Sequence, residues 1–443
     1  MLCNGCCTGH WLAVHISFGM TERKKMIVKL AIGVSGLACL LTGSLQAADV
    51  YRFRGENAQG KFNEIGLLKQ WPEGGLEPKW TYTELGAGWG SVIKVANRLY
   101  VSGLDPENNR MEAIFCLDLD GKKLWQTPVG KNWHKSFQAA RTTPTYADGK
   151  LVAMTGSGVV ACIDAKDGKK LWEKDLAETY ETRFGPWGLA ESLVVKDGKV
   201  FVTVCGRKAL AVALKMEDGS VVWETPSNDD RCAYVSPALC EDQLILMPAT
   251  KVTGVNPATG KVYWQADYGT YARPARSQGI NCNPPVVKDN RFFVSAGYDQ
   301  GGVMYELLPE KWGVKMVWNS KVLDPHHDGM VELDGKIYGS NWINNRSGDW
   351  VCLNWETGDV VYEQQWKRFG KGNIMYADGL LYIYEEKRGM LALLKPGDRF
   401  EVVSSFPIRF GSKEHWAHPI ISDGILYVRR GNALAAFDIR AKK

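Results

Sequence analysis

A tight-turn signal of the Asp-Gly-Lys type recurs eight times in this chain, its second residue falling at Asn97, Gly149, Gly198, Gln243, Asn290, Gly335, Gly379 and Gly424. Successive turns are 52, 49, 45, 47, 45, 44 and 45 residues apart. Short alternating segments flank each one, as Thr143-Pro144-Thr145-Tyr146 and Leu151-Val152-Ala153-Met154 flank Asp148-Gly149. Alternation on both sides of such a pair predicts a β-hairpin, because the turn that suits twisted strands needs residues tolerant of positive φ. A second signal ends each unit: a small residue, an aliphatic, a turn holding Asp or Asn and ending in Gly, then an aromatic. The stretches from Cys162 to Trp172 and from Gly254 to Trp264 both follow it. Four short strands with a period in the mid-forties predict a propeller blade. The expected fold is therefore all-β, an eight-bladed β-propeller of four-stranded blades. Helical solenoids of similar period are excluded, since no segment sustains a 3.6-residue apolar period.

The two chain ends complement each other. After Gly424 only 19 residues remain, room for strands over 425–429 and 433–439 but not for a fourth. One closing aromatic, Trp80, precedes the first hairpin turn. The segment Pro78-Lys79-Trp80-Thr81-Tyr82-Thr83 is thus the expected outer strand of the last blade, which would leave no open edge. The same register aligns Cys116, Cys162 and Cys352 with Ala213, Gly254 and Ala436. These three thiols are expected to be small, buried and unpaired.

Residues 1–47 read as a leader. Arg23-Lys24-Lys25 precedes an apolar run over 27–41, and Ser44-Leu45-Gln46-Ala47 forms a small-residue exit. That order describes a secretory signal over about 20–47, with residues 1–19 an overextended start. Cys39 follows Gly36-Leu37-Ala38, a departure from the lipoprotein pattern. The location implied is periplasmic or secreted, with residues 48–77 an N-terminal extension and 78–443 the propeller. No later stretch is apolar and long enough to span a bilayer. Lys and Arg total 54 against 49 Asp and Glu, and the leader holds three of the five net charges. The remainder offers no electrostatic case for nucleic acid. Removing the leader leaves seven of eleven cysteines, too odd a number for complete pairing. Cys282 is a free-thiol candidate, although Cys232 in the preceding loop could bridge it. No c-type haem attachment motif occurs.

The first residues of the innermost strands surround one axial mouth. Eight positions before each turn stand Trp89, Arg141, Ala190, Val235, Cys282, His327, Lys371 and Trp416. Three bases, a thiol and two indoles on one axis suit a ligand better than a packed rim. Lys371 and Arg141 are either surface cations or the hold on an anion. His326 and His327 are loop residues bonded to backbone, or else a general base or metal ligand. Asp328 either caps a turn or serves as a base. Trp89, Trp187 and Trp416 either pack between blades or stack on a planar ring or sugar. His418 adds a further imidazole. For a metal, Asn283 and Asp328 are the candidates, with Asn281 beside them.

The run Asp164-x-x-x-Gly168-Lys169-x-x-Trp172 resembles the tryptophan-docking motif of pyrroloquinoline-quinone (PQQ) repeat propellers, over about residues 51–443. Phe53-Arg54-Gly55, Gly66-Leu67-Leu68 and Trp71-Pro72 resemble the start of an exported subgroup. His326-His327-Asp328-Gly329, Gly370-Lys371-Gly372-Asn373 and Trp416-Ala417-His418-Pro419 resemble its last blades. That subgroup is labelled alcohol- or polyvinyl-alcohol-dehydrogenase-like, or likened to the β-barrel assembly lipoprotein. The resemblance implies a quinoprotein-like oxidoreductase for an alcohol or carbohydrate, with PQQ and Ca²⁺; the chain departs from the polyvinyl-alcohol enzymes in having no haem domain, so an external electron acceptor would be needed. Asp328 and His327 would be its catalytic groups. It equally implies a non-catalytic binding or scaffold propeller taking a glycan, small molecule or protein. The adjacent-cysteine disulfide of the quinoprotein dehydrogenases has no counterpart, since Cys6-Cys7 lies in the leader.

Overall fold

The computed structural model describes residues 49–268, 279–311 and 313–442. The expected leader lies outside the described residues. Eight sheets form the blades of a β-propeller. The innermost strands are Val92–Val95, Thr145–Ala147, Val194–Lys196, Ala238–Cys240, Val286–Lys288, Val331–Leu333, Gly372–Ala377 and Ile420–Ser422, in blades 1 to 8. At five hairpin turns both central residues take positive φ, as at Asp148 (47°) and Gly149 (78°). That geometry is why Asp-Gly marks the repeat. Blade 8 takes its fourth strand from the other chain end: Trp80–Tyr82 pairs with Ala433–Asp438, Trp80 opposite Ala436. Ring closure is as the strand count required.

Neighbouring blades are joined by the closing tryptophans. Trp80, Trp172, Trp223 and Trp318 each donate the indole N–H to a backbone carbonyl of the following blade, on Leu119, Met216, Pro257 and Trp355. The glycine of that blade's outer turn lies under the ring. A Cβ on Gly121, Gly168, Gly219, Gly260 or Gly358 would sit 2.5–2.8 Å from the indole of Trp80, Trp125, Trp172, Trp223 or Trp318. The motif Gly-x-x-x-Trp therefore encodes an inter-blade joint, in which the tryptophan covers the next blade's glycine. Blade 6 substitutes Tyr362, packed near Phe400.

The N-terminal extension is built into the ring. Val50 bonds Lys94 in blade 1, and Tyr51 accepts from Tyr146 in blade 2. Asn57 exchanges bonds with Leu239 in blade 4, Gln59 accepts from Val287 in blade 5, and Lys61 pairs with Glu332 in blade 6. Lys61–Phe62 then adds a fifth, parallel strand to blade 7, inside Gly372–Ala377. Glu64 accepts from Asp423 and Gly424 in blade 8. These contacts lie at the hairpin-turn end of the axis. From this segment the buried Arg54 reaches inward, donating to the carbonyls of Ala58, Met330 and Ile374. Cys116, Cys162 and Cys352 are buried and free, as their repeat position predicted.

Two stability outcomes follow from this architecture. Gly168→Ala should lower unfolding free energy by about 2–4 kcal/mol in chemical denaturation, combining positive-φ strain with a clash against Trp125. Deleting residues 76–86 should lower the melting temperature sharply, because it reopens the edge at Ala433–Asp438.

Candidate functional site

The starts of the innermost strands converge at the opposite end of the axis from the N-terminal segment. A belt of polar contacts near this end ties the blades to one another. Ser91 N–H donates to Thr143 Oγ1, Thr143 N–H to Ser192 Oγ, and Ser192 N–H to Ser236 Oγ, each at 2.9 Å. Asn283 accepts from Gly329 N–H at 2.9 Å and donates to Pro325 and His326 carbonyls. Asn373 donates to Trp416 and Ala417, and Ser91 Oγ donates to the His418 carbonyl, returning the belt from blade 8 to blade 1. Short polar side chains are required here because strand starts in a crowded centre leave backbone groups without ladder partners.

Above the belt, the aromatic members of the expected mouth meet. Trp89 and Trp416 rings lie 5.0 Å apart, and Trp416 lies 4.9 Å from His327. Arg141 stands over Trp89 at 5.8 Å and donates to the Ser136 carbonyl. Phe137, half exposed, packs against both indoles. His327 also stacks on His326, whose Nε2 is 2.9 Å from the Tyr298 hydroxyl. Trp187 pairs instead with Tyr234. The structure thus brings Arg141, Trp89, Trp416, His327 and His326 into one contiguous group, linked ring to ring.

Lys371 is fully buried and its ammonium binds Glu386 Oε1. His327 lies between two carboxylates, with Nδ1 3.5 Å from Asp328 Oδ1 and Nε2 3.6 Å from Glu386 Oε2. None of these four atoms has a hydrogen-bond partner among the described residues. Asp328 Oδ2 accepts from Ser340 Oγ at 3.1 Å. Burial first, then the Lys371 ammonium, hold the His327 pKa well below the imidazole range. His326 is held low by burial and by His327. Burial also lowers Lys371, opposed by Asp328 and Glu385. The imidazoles are therefore neutral near pH 7.

His418 fixes its own tautomer. Its Nδ1 accepts from the Arg54 guanidinium at 2.9 Å, so its Nε2 carries the proton and donates to the His327 carbonyl at 2.9 Å. His418 consequently joins the N-terminal segment below to the mouth loop above. Asn281, expected among the ligand groups, donates to the Pro248 and Ala249 carbonyls. Glu191 receives Thr203 N–H on both oxygens, and burial raises its pKa to about 8. Cys282 and Cys232 are both free, so the conjectured bridge is not formed. Burial pushes the Cys282 thiol up to about 12. Glu386, Tyr298, Phe137 and Arg54 were not among the residues singled out from the repeat. Glu386 stands in Glu385-Glu386-Lys387-Arg388-Gly389, a charged run that reads as an ordinary solvated hairpin.

Protonating His418 would set a cation against Arg54, so its neutral form stabilises the fold. Because its folded pKa is depressed by burial and then by Arg54, that stability is complete above the imidazole range and lost as pH falls below about 6.5. The His418→Gln variant should therefore show a smaller fall in melting temperature than the parent between about pH 7 and about pH 5. An equal fall in both would remove His418 from this role.

A family model described as outer membrane protein assembly factor BamB matches residues 110–337, just over half of the chain. Outer membrane protein assembly factor BamB of Yersinia pestis is 23% identical over 290 residues, covering 62% of this chain and 68% of that protein. Among solved structures, BamB from Moraxella catarrhalis aligns over 82% of this chain and 99% of that one, with TM-score 0.62 and 14% identity. A europium-containing methanol dehydrogenase aligns over 86% and 89%, with TM-score 0.62 and 12% identity. At such identities these structures establish the shared propeller and leave chemistry to the site.

Proposed function

The chain belongs to the PQQ-repeat family whose model is described as outer membrane protein assembly factor BamB, and from that premise we propose that it is a non-catalytic binding propeller that holds a protein partner at its mouth. The observation that carries this reading is the filled axis. Arg54 and the parallel strand Lys61–Phe62 occupy it from one end, and the Trp89–Trp416–His327 group closes on itself at the other. Of the groups a Ca²⁺–quinone pair would draw on, Asn283 and Glu191 spend their oxygens on the backbone N–H groups of Gly329 and Thr203. Asn281 turns its N–H toward the Pro248 and Ala249 carbonyls, which leaves Asp328 Oδ1 as the one unengaged oxygen shown among these groups. That donor set does not fit the cofactor expected from the dehydrogenase resemblance. What remains at the mouth is a rim of aromatic side chains with the Arg141 guanidinium over the Trp89 indole. Exposed aromatics and arginine are the residues that dominate protein–protein binding energy. The family description adds a setting, outer membrane protein assembly, and a leader over 20–47 would put the chain on the periplasmic side of it. Among the described residues no helix is long and apolar enough to cross a membrane.

The oxidoreductase reading keeps one observation in its favour, the neutral His327 beside Asp328 under an indole. A titration separates the two. Calorimetry and absorption with PQQ plus Ca²⁺ should show no saturable binding, and a stoichiometric complex would overturn the proposal. In the native host, a photo-crosslinking residue at Phe137 should capture an identified outer-membrane-assembly component, and the added change Trp416→Ala should abolish the adduct. The same residue at Tyr51, exposed on the hairpin-turn side, should capture none. Equal adducts from both positions would remove the mouth as the binding face.

A further inference from the structure

The structure assigns a divalent transition-metal site to His327, Asp328 and Glu386, at the junction of blades 6 and 7 beside the axial mouth. One donor atom from each residue lies within 4.8 Å of the others. His327 and Asp328 precede the innermost strand Val331–Leu333, and Glu386 follows the second strand of blade 7, Leu380–Glu385. Two loops of fixed strands therefore aim one imidazole and two carboxylates at a common point. The Asp328 side chain is 1% exposed and that of Glu386 7%, yet Asp328 Oδ1 and Glu386 Oε2 have no hydrogen-bond partner.

Electrostatics makes the arrangement unstable without a cation. A neutral imidazole has one N–H and one lone pair, and here its two nitrogens face two different carboxylates. Whichever nitrogen holds the proton, the other turns a lone pair toward a carboxylate oxygen. Buried anions left unpaired in this way cost several kcal/mol, roughly. Lys371 relieves only part of it, because its ammonium is committed to Glu386 Oε1. Two carboxylates against one ammonium leave a net negative charge, which a divalent ion reverses. Asp328 is further held by Ser340, the kind of outer partner that orients a ligating carboxylate.

The donor set also selects the ion. One nitrogen and two oxygens suit Zn²⁺, with Mn²⁺, Co²⁺ and Ni²⁺ as competitors, and water or a partner's side chain completes the shell. Ca²⁺ wants six to eight oxygens, which this junction does not supply. Asn283, the metal ligand expected from the repeat, takes no part, since its amide spans Gly329, Pro325 and His326.

The test uses the full chain, stripped with a chelator and titrated with ZnCl₂ by calorimetry. One ion should bind per chain, and CaCl₂ should give no comparable heat. Glu386→Gln and Asp328→Asn should each weaken Zn²⁺ by roughly 100-fold or more, beyond the 10–100-fold typical of losing a supporting partner. Should either variant fail to fold, the unmutated protein decides. Zn²⁺ should protect His327 from diethyl pyrocarbonate, read by peptide mass spectrometry. Absence of one-to-one binding would mean that Lys371 is the cluster's sole counter-ion. Binding that leaves His327 equally reactive would put the ion elsewhere. Either result overturns the site.

Discussion

A propeller blade is stable only between two neighbours, because both faces of each sheet are apolar and one blade cannot cover its own. In this chain the buried cores run from blade to blade. One cluster joins Met375, Tyr382 and Leu391 of blade 7 to Leu426 and Phe437 of blade 8 and to Val101 and Phe115 of blade 1. The pairing of Trp80–Tyr82 with Ala433–Asp438 is what makes the series circular. The closing strand also carries a docking tryptophan: Trp80 covers Gly121 and donates to Leu119, so the first and last blades meet through the same joint as four other blade pairs. Closure by strand exchange and closure by ring-on-glycine contact reinforce each other. Neither needs the two chain termini to touch.

Closing eight blades creates a second problem at the centre, where strand starts crowd together and water is scarce. The belt of Ser91, Thr143, Ser192, Ser236, Asn283 and Asn373 answers it with short side chains that reach only to the neighbouring backbone. Arg54 answers it from the other end by satisfying three carbonyls at once. A charge held that deep is costly, and burial lowers the guanidinium pKa to about 9. His418 reduces that cost by offering a lone pair rather than a charge, which is why a neutral imidazole stands between Arg54 and the His327 loop. The same low dielectric that keeps His418 and His327 uncharged makes the unpaired carboxylates beside His327 conspicuous.

The repeat position eight residues before each turn selected residues that do converge. Trp89, Arg141, His327, Lys371 and Trp416 owe their proximity to the propeller's rotational symmetry, and symmetry is visible in a spacing. What that argument passed over lies at other depths. Arg54 comes from an extension with no counterpart in the repeat. Glu386 comes from a hairpin whose charged run resembles any solvated turn. The amides show a contribution that the spacing does not reveal: Asn281 and Asn283, candidate ligand groups by residue type, also bond backbone groups of neighbouring loops. They serve as inter-loop latches, a role set by the carbonyls they face.

The sequence by itself determined everything that depends on periodicity and local geometry. Asp-Gly turns, alternating strands and the count of units decide eight blades, their register, the missing fourth strand and the burial of Cys116, Cys162 and Cys352. Each of these rests on interactions between residues near in the chain or related by the repeat. Tertiary structure alone decided the course of residues 50–64 across the ring, the parallel strand Lys61–Phe62, and the meeting of His327 and Asp328 with Glu386. Those contacts join segments up to hundreds of residues apart that share no period. Their energies come from desolvated charges and orphaned polar atoms, and such energies exist only once the surroundings that exclude water have been built.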